Sequence, residues 1–234
     1  MEQVNNIYYV KNISDSSKPT IVFLHGLSAN HTTWDIPAKS LEEQGYNTLS
    51  LDMRGHGLSD KTRIRNLYRF PVFKNDLRKI IEKEQLSKVI LIGYSFGGTI
   101  ALDYASQYPE DVVALITISA NHISPFYYSW LSFAGPLAAG IVNLGGWLMI
   151  WQSRKKYFYF DQSKSTSYWE STFSVYTTMP ISINFWMLSE AMNIKRLKNL
   201  HAITCPTLLL RGNHDLYASL EEATDIKKEI SGAE

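Results

Sequence analysis

An α/β fold, with a mostly parallel sheet flanked by helices and an inserted helical lid, is predicted by three features of this 234-residue chain. Short apolar runs alternate with segments of helical period, the pattern of βαβ units. The runs are continuous in Val, Ile and Leu rather than alternating with polar residues, as suits strands buried on both faces. Residues 121–200 interrupt this alternation and concentrate the aromatic side chains, holding 17 of the 30, with five of the six tryptophans.

The elements follow in order. Strands are predicted at residues 7–10, 20–24, 47–51, 88–93, 112–119 and 207–210. The first helix covers 34–44 and is stopped by Gly45. A second, over 76–85, places Leu77, Ile80 and Ile81 on one face. A third runs from 97 to 107, with Ile100, Ala101, Tyr104, Ala105 and Tyr108 at helical spacing and Pro109 as its stop. Ser219 followed by Glu222 forms a capping box that opens a last helix, its apolar face made of Leu220, Ala223, Ile226 and Ile230. One core is therefore expected from 1–120 and 201–234, with 121–200 as a lid or cap.

Within that insertion no Asp, Glu, Lys or Arg occurs between Asp111 and Arg154. Residues 130–151 are long enough to span a bilayer, but they contain Gly135, Pro136, Gly140, Gly145 and Gly146 and lie between sheet elements. The expectation is a lid packed over an apolar pocket, in weak contact with a membrane surface at most, helped by Arg154, Lys155 and Lys156.

Composition narrows the partners. With 23 basic and 22 acidic residues the net charge is +1, so no basic footprint argues for nucleic acid. The single cysteine, Cys205, excludes an internal disulfide framework and suits a reducing compartment. The first ten residues carry Glu2 and Asn5 and no long apolar run, which reads as no signal peptide. A cytoplasmic protein is the expectation, and the N-x-S/T matches at Asn12 and Asn30 then carry no meaning.

The chemistry centres on Gly93-Tyr94-Ser95-Phe96-Gly97, which joins a buried strand to a helix. Flanking glycines relieve the crowding of a tight turn and push the serine hydroxyl into the open. The helix N-terminus beneath it favours developing negative charge.

Together with three further stretches in the same order, this elbow resembles the α/β-hydrolase family over residues 20–234. In Phe23-Leu24-His25-Gly26-Leu27 a strand ends in the loop that, by this resemblance, supplies one oxyanion donor; the pair would be the amides of Leu27 and Phe96. His25 has a structural place in that motif. Asp52-Met53-Arg54-Gly55-His56-Gly57-Leu58-Ser59-Asp60 resembles the family's D-x-R-G-x-G-x-S turn, an architectural element in which Arg54 meets carbonyl or carboxylate oxygens and His56 reads as a solvated loop residue. Leu208-Leu209-Leu210-Arg211-Gly212-Asn213-His214-Asp215 ends in G-x-x-D and implies Asp215 as the triad acid, with His214 pointing elsewhere.

The pattern departs at its last step. The family order is Ser, Asp, His, and no histidine occurs in the 19 residues after Asp215. The expectation is a parent chain that continues through a further strand and the histidine; recruitment of His122 as base is the alternative. Taken literally, the chain should be nearly inactive.

Serine rather than aspartate at the elbow points, by the resemblance, to carboxylic ester hydrolysis through an acyl-enzyme rather than to dehalogenase or epoxide chemistry. The aromatic-rich lid suggests a small-molecule ester with an apolar acyl chain or ring. Acyl transfer, perhydrolysis and carbon–carbon bond hydrolysis share the fold, and a non-catalytic binding protein would keep the pocket without the base. No metal or organic cofactor is called for, since H-E-x-x-H, paired Cys/His spacing and a phosphate-binding glycine loop are all absent from the sequence. The oligomeric state is left open.

Overall fold

The computed structural model describes residues 2–4, 7–125, 127, 135–150, 161–164, 179–215 and 217–234. Among these, seven strands form one sheet: β1 (Glu2–Val4), β2 (Ile7–Asn12), β3 (Thr20–Leu24), β4 (Asn47–Leu51), β5 (Val89–Tyr94), β6 (Val112–Ile118) and β7 (Thr207–Leu210). Their spatial order is β1-β2-β4-β3-β5-β6-β7. The two N-terminal pairings, β1 with β2 and β2 with β4, are antiparallel; the rest are parallel. Strand β1, too short to show a period, is an addition to the sequence reading.

Strand β3 sits centrally, and all five of its residues are buried. Its successive side chains serve opposite faces. Ile21 and Phe23 pack with Trp34 and Ala38 in a small cluster on one side, beside α1 (Asp35–Glu43). Val22 and Leu24 enter the main core on the other, which also receives α2 (Phe70–Lys83) and α3 (Phe96–Gln107). A continuous apolar strand is thus the consequence of having helices on both faces.

Helix α2 begins at Phe70, six residues before the start read from Asp76. Pro71 opens the helix, its fixed φ and missing N–H suiting that position. Asp76 instead faces inward, where both its oxygens accept from Arg54: Nε to Oδ2 at 3.0 Å and Nη2 to Oδ1 at 2.7 Å. A second buried ion pair, Lys74 to Asp103 at 2.9 Å, joins α2 to α3.

Between the adjacent strands β6 and β7 the chain leaves the sheet. The described part of this excursion contains α4 (Gly135–Leu148), a 3-10 turn (Gln162–Lys164), α5 (Ile181–Met192) and a second 3-10 turn (Leu200–Ala202). Helices α4 and α5 pack closely because Gly146 admits Trp186: a Cβ there would lie 2.5 Å from the indole. The Ser189 hydroxyl donates to the Ala139 carbonyl at 2.9 Å, and Trp147 meets Trp186 edge to face at 5.3 Å. The opposite face of α4 exposes Leu137, Ile141, Leu144 and Leu148. No helix among the described residues is long and apolar enough to cross a membrane. Trp130, Trp151, Trp169 and the basic residues 154–156 lie outside the described residues.

After β7 comes α6 (Leu220–Glu229). Ser219 caps it, its hydroxyl accepting from the Glu222 amide at 3.1 Å. Ile226 and Ile230 are buried as the spacing predicts, whereas Leu220, assigned to the same face, is exposed. The Glu222 side chain is fully buried and crosses to the chain leaving β6, accepting from the amides of His122 (2.7 Å) and Ile123 (3.3 Å) and from Asn121 Nδ2 (2.7 Å). Glu234 pairs with β7, donating to Thr207 O at 3.0 Å and accepting from Leu209 N at 2.8 Å.

Candidate active site

Ser95 stands between the C-terminus of β5 and the first turn of α3, with φ 52° and ψ −118°. An L-residue is strained there, so the surrounding backbone must hold it. The amide of Ser95 donates to Ile118 O at 2.8 Å, and its carbonyl accepts from the Thr99 amide at 3.0 Å. Two glycines make the turn possible. A Cβ at Gly93 would lie 2.6 Å from the Gly97 carbonyl oxygen, and one at Gly97 would collide with the carbonyl oxygens of Leu24 and His25. Ser95 is partly exposed, and among the described residues its hydroxyl has no hydrogen-bond partner.

The second wall is the loop after β3. His25 is fully buried between two backbone groups: Nδ1 lies 2.7 Å from Gly26 O, and Nε2 accepts from the Met53 amide at 2.9 Å. That pairing fixes a neutral imidazole protonated on Nδ1. Burial pulls its pKa down to about 4, outweighing the opposing Asp52 charge and the bond to Gly26. His25 therefore fastens the loop to the turn after β4.

His56 does the same one step further on. It is buried, not solvated as the glycine-rich turn suggests: Nδ1 lies 3.1 Å from Arg54 O, and Nε2 accepts from the Ser28 amide at 2.9 Å. Burial, then the neighbouring His25, lowers its pKa to about 3. The two imidazoles meet edge to face at 4.8 Å.

Asp52 completes the attachment. Its Oδ1 accepts from the His31 amide at 2.7 Å and lies 2.8 Å from His31 Nδ1, while Oδ2 accepts from the Leu58 amide at 2.7 Å. Burial opposes the carboxylate, but the hydrogen bonds from His31 and Leu58 outweigh it and hold its pKa below the usual range.

The consequence shows in the amides. From Ser28 to Thr33 each backbone N–H has an acceptor: His56, Gly26 O, Gln162, Asp52, Asn30 Oδ1 and Asn30 O in turn. Among the described residues the amides of Leu27 and Phe96 have none. Phe96 is the first residue of α3, where an unbonded N–H is the normal state of a helix start.

Asp215 lies beyond β7, half-buried. Its Oδ1 accepts from the amides of Tyr217 (2.9 Å) and Ala218 (3.0 Å). Burial pushes the carboxyl up, but the Ser119 hydroxyl, those two amides and the charge of Arg211 pull harder, and the net pKa is lowered. Ser119, at the end of β6, also has positive φ, 53°. No histidine is among the described partners of Asp215. His214 is exposed. His122 is fully buried, with Nδ1 3.2 Å from Glu222 Oε1 but off hydrogen-bond alignment, so it is turned to α6 and not to the serine.

No group of three or more His, Cys, Asp or Glu among the described residues has the arrangement of a metal site. Glu222 and Gln162 are contacts that sequence reasoning did not assign. The first was read only as a helix cap, and no local pattern marks the second.

Comparison with known proteins agrees with this architecture. The chain is 26% identical over 224 residues to the AB hydrolase superfamily protein YisY of Bacillus subtilis, covering 92% of this chain and 81% of that one. It is 32% identical over 131 residues to epoxide hydrolase 1 of Caenorhabditis elegans, covering 54% of this chain and 32% of the relative. The chain thus spans about a third of the length of the first curated relatives it matches. Among solved structures, a carboxylesterase of Nitrososphaera gargenis superposes with a TM-score of 0.74 at 20% identity, over 100% of this chain and 87% of that one. An epoxide hydrolase of Bacillus megaterium superposes with a TM-score of 0.71 at 17% identity, over 97% and 87%. The model of the alpha/beta hydrolase fold matches residues 19–234, a span that takes in the elbow, the loop after β3, the turn after β4 and the loop after β7, and by that match the chain belongs to the α/β-hydrolase family.

Proposed function

We propose that this protein is a serine hydrolase that cleaves carboxylic esters through an acyl-enzyme on Ser95. The observation that carries this reading is the strained, partly exposed serine, packed against the loop after β3 so closely that a Cβ at Gly26 would lie 3.4 Å from its own, with the amides of Leu27 in that loop and of Phe96 next to it having no acceptor among the described residues. A hydroxyl rather than a carboxylate at the elbow makes the covalent intermediate an ordinary ester of the acyl group.

In this reaction the Ser95 Oγ attacks the carbonyl carbon as its proton passes to a base. The carbonyl oxygen, becoming negative, accepts from Leu27 N–H and Phe96 N–H; removal of one such donor costs about 2.7–4 kcal/mol in a measured protease. The alkoxide leaves with the proton, and water then releases the acid by the reverse sequence. Asp215 is suited to orient an imidazole and stabilise its cation, because it is ionised at neutral pH and its hydrogen bonds favour the charged form further. The aromatic content of residues 121–200, here read as a lid, favours an apolar acyl chain or ring in the pocket.

One observation favours a second reading. No histidine joins Ser95 to Asp215 among the described residues, as in a protein that keeps the pocket for binding alone. Labelling with a fluorophosphonate probe separates the two, using the protein from its native source, a Ser95→Ala control and intact mass read on the labelled species. Labelling confined to Ser95, with turnover of p-nitrophenyl esters, supports the hydrolase. An unlabelled, intact protein would sink it in favour of binding.

A further inference from the structure

The loop that carries the Leu27 amide is held from two sides. Beneath it lie His56 and Asp52 of the core. Above it lie two side chains from the excursion between β6 and β7, and they account for contacts the core does not make.

Gln162 is the first. Its Oε1 accepts from the Asn30 amide at 3.3 Å and, at closer range, from the Thr33 hydroxyl. Its own amide donates to the Thr32 hydroxyl at 2.8 Å. The Thr32 hydroxyl in turn donates to Asn30 Oδ1 at 2.6 Å, which also accepts from the Thr32 amide at 3.0 Å. Gln162 therefore closes a ring of hydrogen bonds around the turn Asn30–Thr33. The second is Asn184 on α5, whose Nδ2 donates to the Ser28 hydroxyl at 3.0 Å. Ser28 has φ 65°, a conformation that L-residues leave readily when unsupported. It is also the residue directly after Leu27.

We infer that Gln162 and Asn184 are positioning residues for the oxyanion donor, holding the loop 26–33 so that the Leu27 N–H keeps its aim at the carbonyl oxygen bound on Ser95. This rests on the serine-hydrolase reading for its catalytic meaning. Neither residue touches the reacting atoms. Their effect runs through backbone geometry, to which oxyanion stabilisation is sensitive because the donors must already be placed when charge develops.

The polar chemistry distinguishes this role from simple packing. What Gln162 gives through its side chain is an acceptor oxygen, so Gln162→Glu keeps the function of that group while Gln162→Leu removes it at similar size. Asn184→Ala removes the support at Ser28 by an independent route.

The test combines hydrogen–deuterium exchange with turnover on the full chain. In Gln162→Leu, amides 28–33 should exchange about tenfold faster while those of α2, residues 70–83, stay unchanged. Gln162→Glu should restore slow exchange, and Asn184→Ala should speed it at Ser28. With a p-nitrophenyl ester, kcat should fall about tenfold with KM nearly constant, well short of the 10²–10³ lost when an oxyanion donor is removed outright. Unchanged exchange at 28–33, acceleration spread equally over α2, or a rise in KM alone overturns the proposal. Exchange is read without turnover. A protein inert to the serine probe would fail the hydrolase reading, while local acceleration at 28–33 would still support the contact.

Discussion

Position 97 shows how tightly single residues are determined around Ser95. The added methyl of Gly97→Ala would meet the carbonyl oxygens of Leu24 and His25, and backbone of a central strand cannot yield as a flexible side chain can. Overpacking of this kind typically costs about 1–3 kcal/mol, occasionally more. Urea unfolding of Gly97→Ala should show that loss, and a change below about 0.5 kcal/mol would contradict the elbow geometry. Gly93, Ser95 and Gly97 are legible from sequence because the elbow places them at fixed spacing between a strand and a helix; Gly93 is confined by Gly97 and Gly98 within that turn, whereas the atoms that confine Gly97 belong to Leu24 and His25. His56 was not legible. A histidine in a glycine-rich turn reads as solvated, and only the approach of Ser28, 28 residues away, buries it. Glu222 failed for the same reason, since its carboxylate serves a loop about 100 residues distant while its backbone satisfies an ordinary capping rule.

Elements were read from periodicity, which located all the parallel strands but misplaced the start of α2. Asp76 lies inside the helix and not at its start, and its partner explains why. Burial pushes the Asp76 carboxyl up, against the pull of Arg54 and Lys79, so the bidentate contact from Arg54 is what makes a charge tolerable inside that helix face. Removing one partner of such a pair typically costs about 3–5 kcal/mol, whereas an apolar replacement of both is close to neutral. Arg54→Met should therefore be strongly destabilised in denaturant unfolding, and Arg54→Met with Asp76→Leu should recover most of the loss. If the double variant is no better than the single, the pair is not what fastens α2 to the turn after β4. The strands were legible because burial on both faces leaves a run of β-branched and aliphatic residues with no polar interruption. The contacts of Gln162 were not, because a lone glutamine opening a 3-10 turn carries no period.

For the whole molecule the two buried histidines set an acid limit. His25 and His56 have native pKa values of about 4 and about 3, against an ordinary 6.5. Between those limits the unfolded chain binds protons that the native protein refuses, so stability rises with pH there. Their contribution is complete above about pH 6.5 and is lost as pH falls toward the native values, at about 1.4 kcal/mol per pH unit for each. Asp52 and Asp215 are shifted downward, and what they contribute persists until the pH falls below the ordinary carboxylate range. Urea midpoints at pH 7.5 and 5 should differ by this histidine contribution, with a smaller difference in His56→Gln. A flat profile between the two would mean that these imidazoles become protonated in the folded protein.

The exposed face of α4 bears on how the protein behaves outside a solution of itself. Leu137, Ile141, Leu144 and Leu148 lie along about 16 Å of helix at 1.5 Å per residue, a strip without a charge to interrupt it. Such a strip adsorbs to phenyl resins in ammonium sulfate and to plastic and air–water boundaries in dilute buffer. Purification by hydrophobic-interaction chromatography should retain the chain late, and low concentrations of a mild non-ionic detergent should raise recovery from dilute samples.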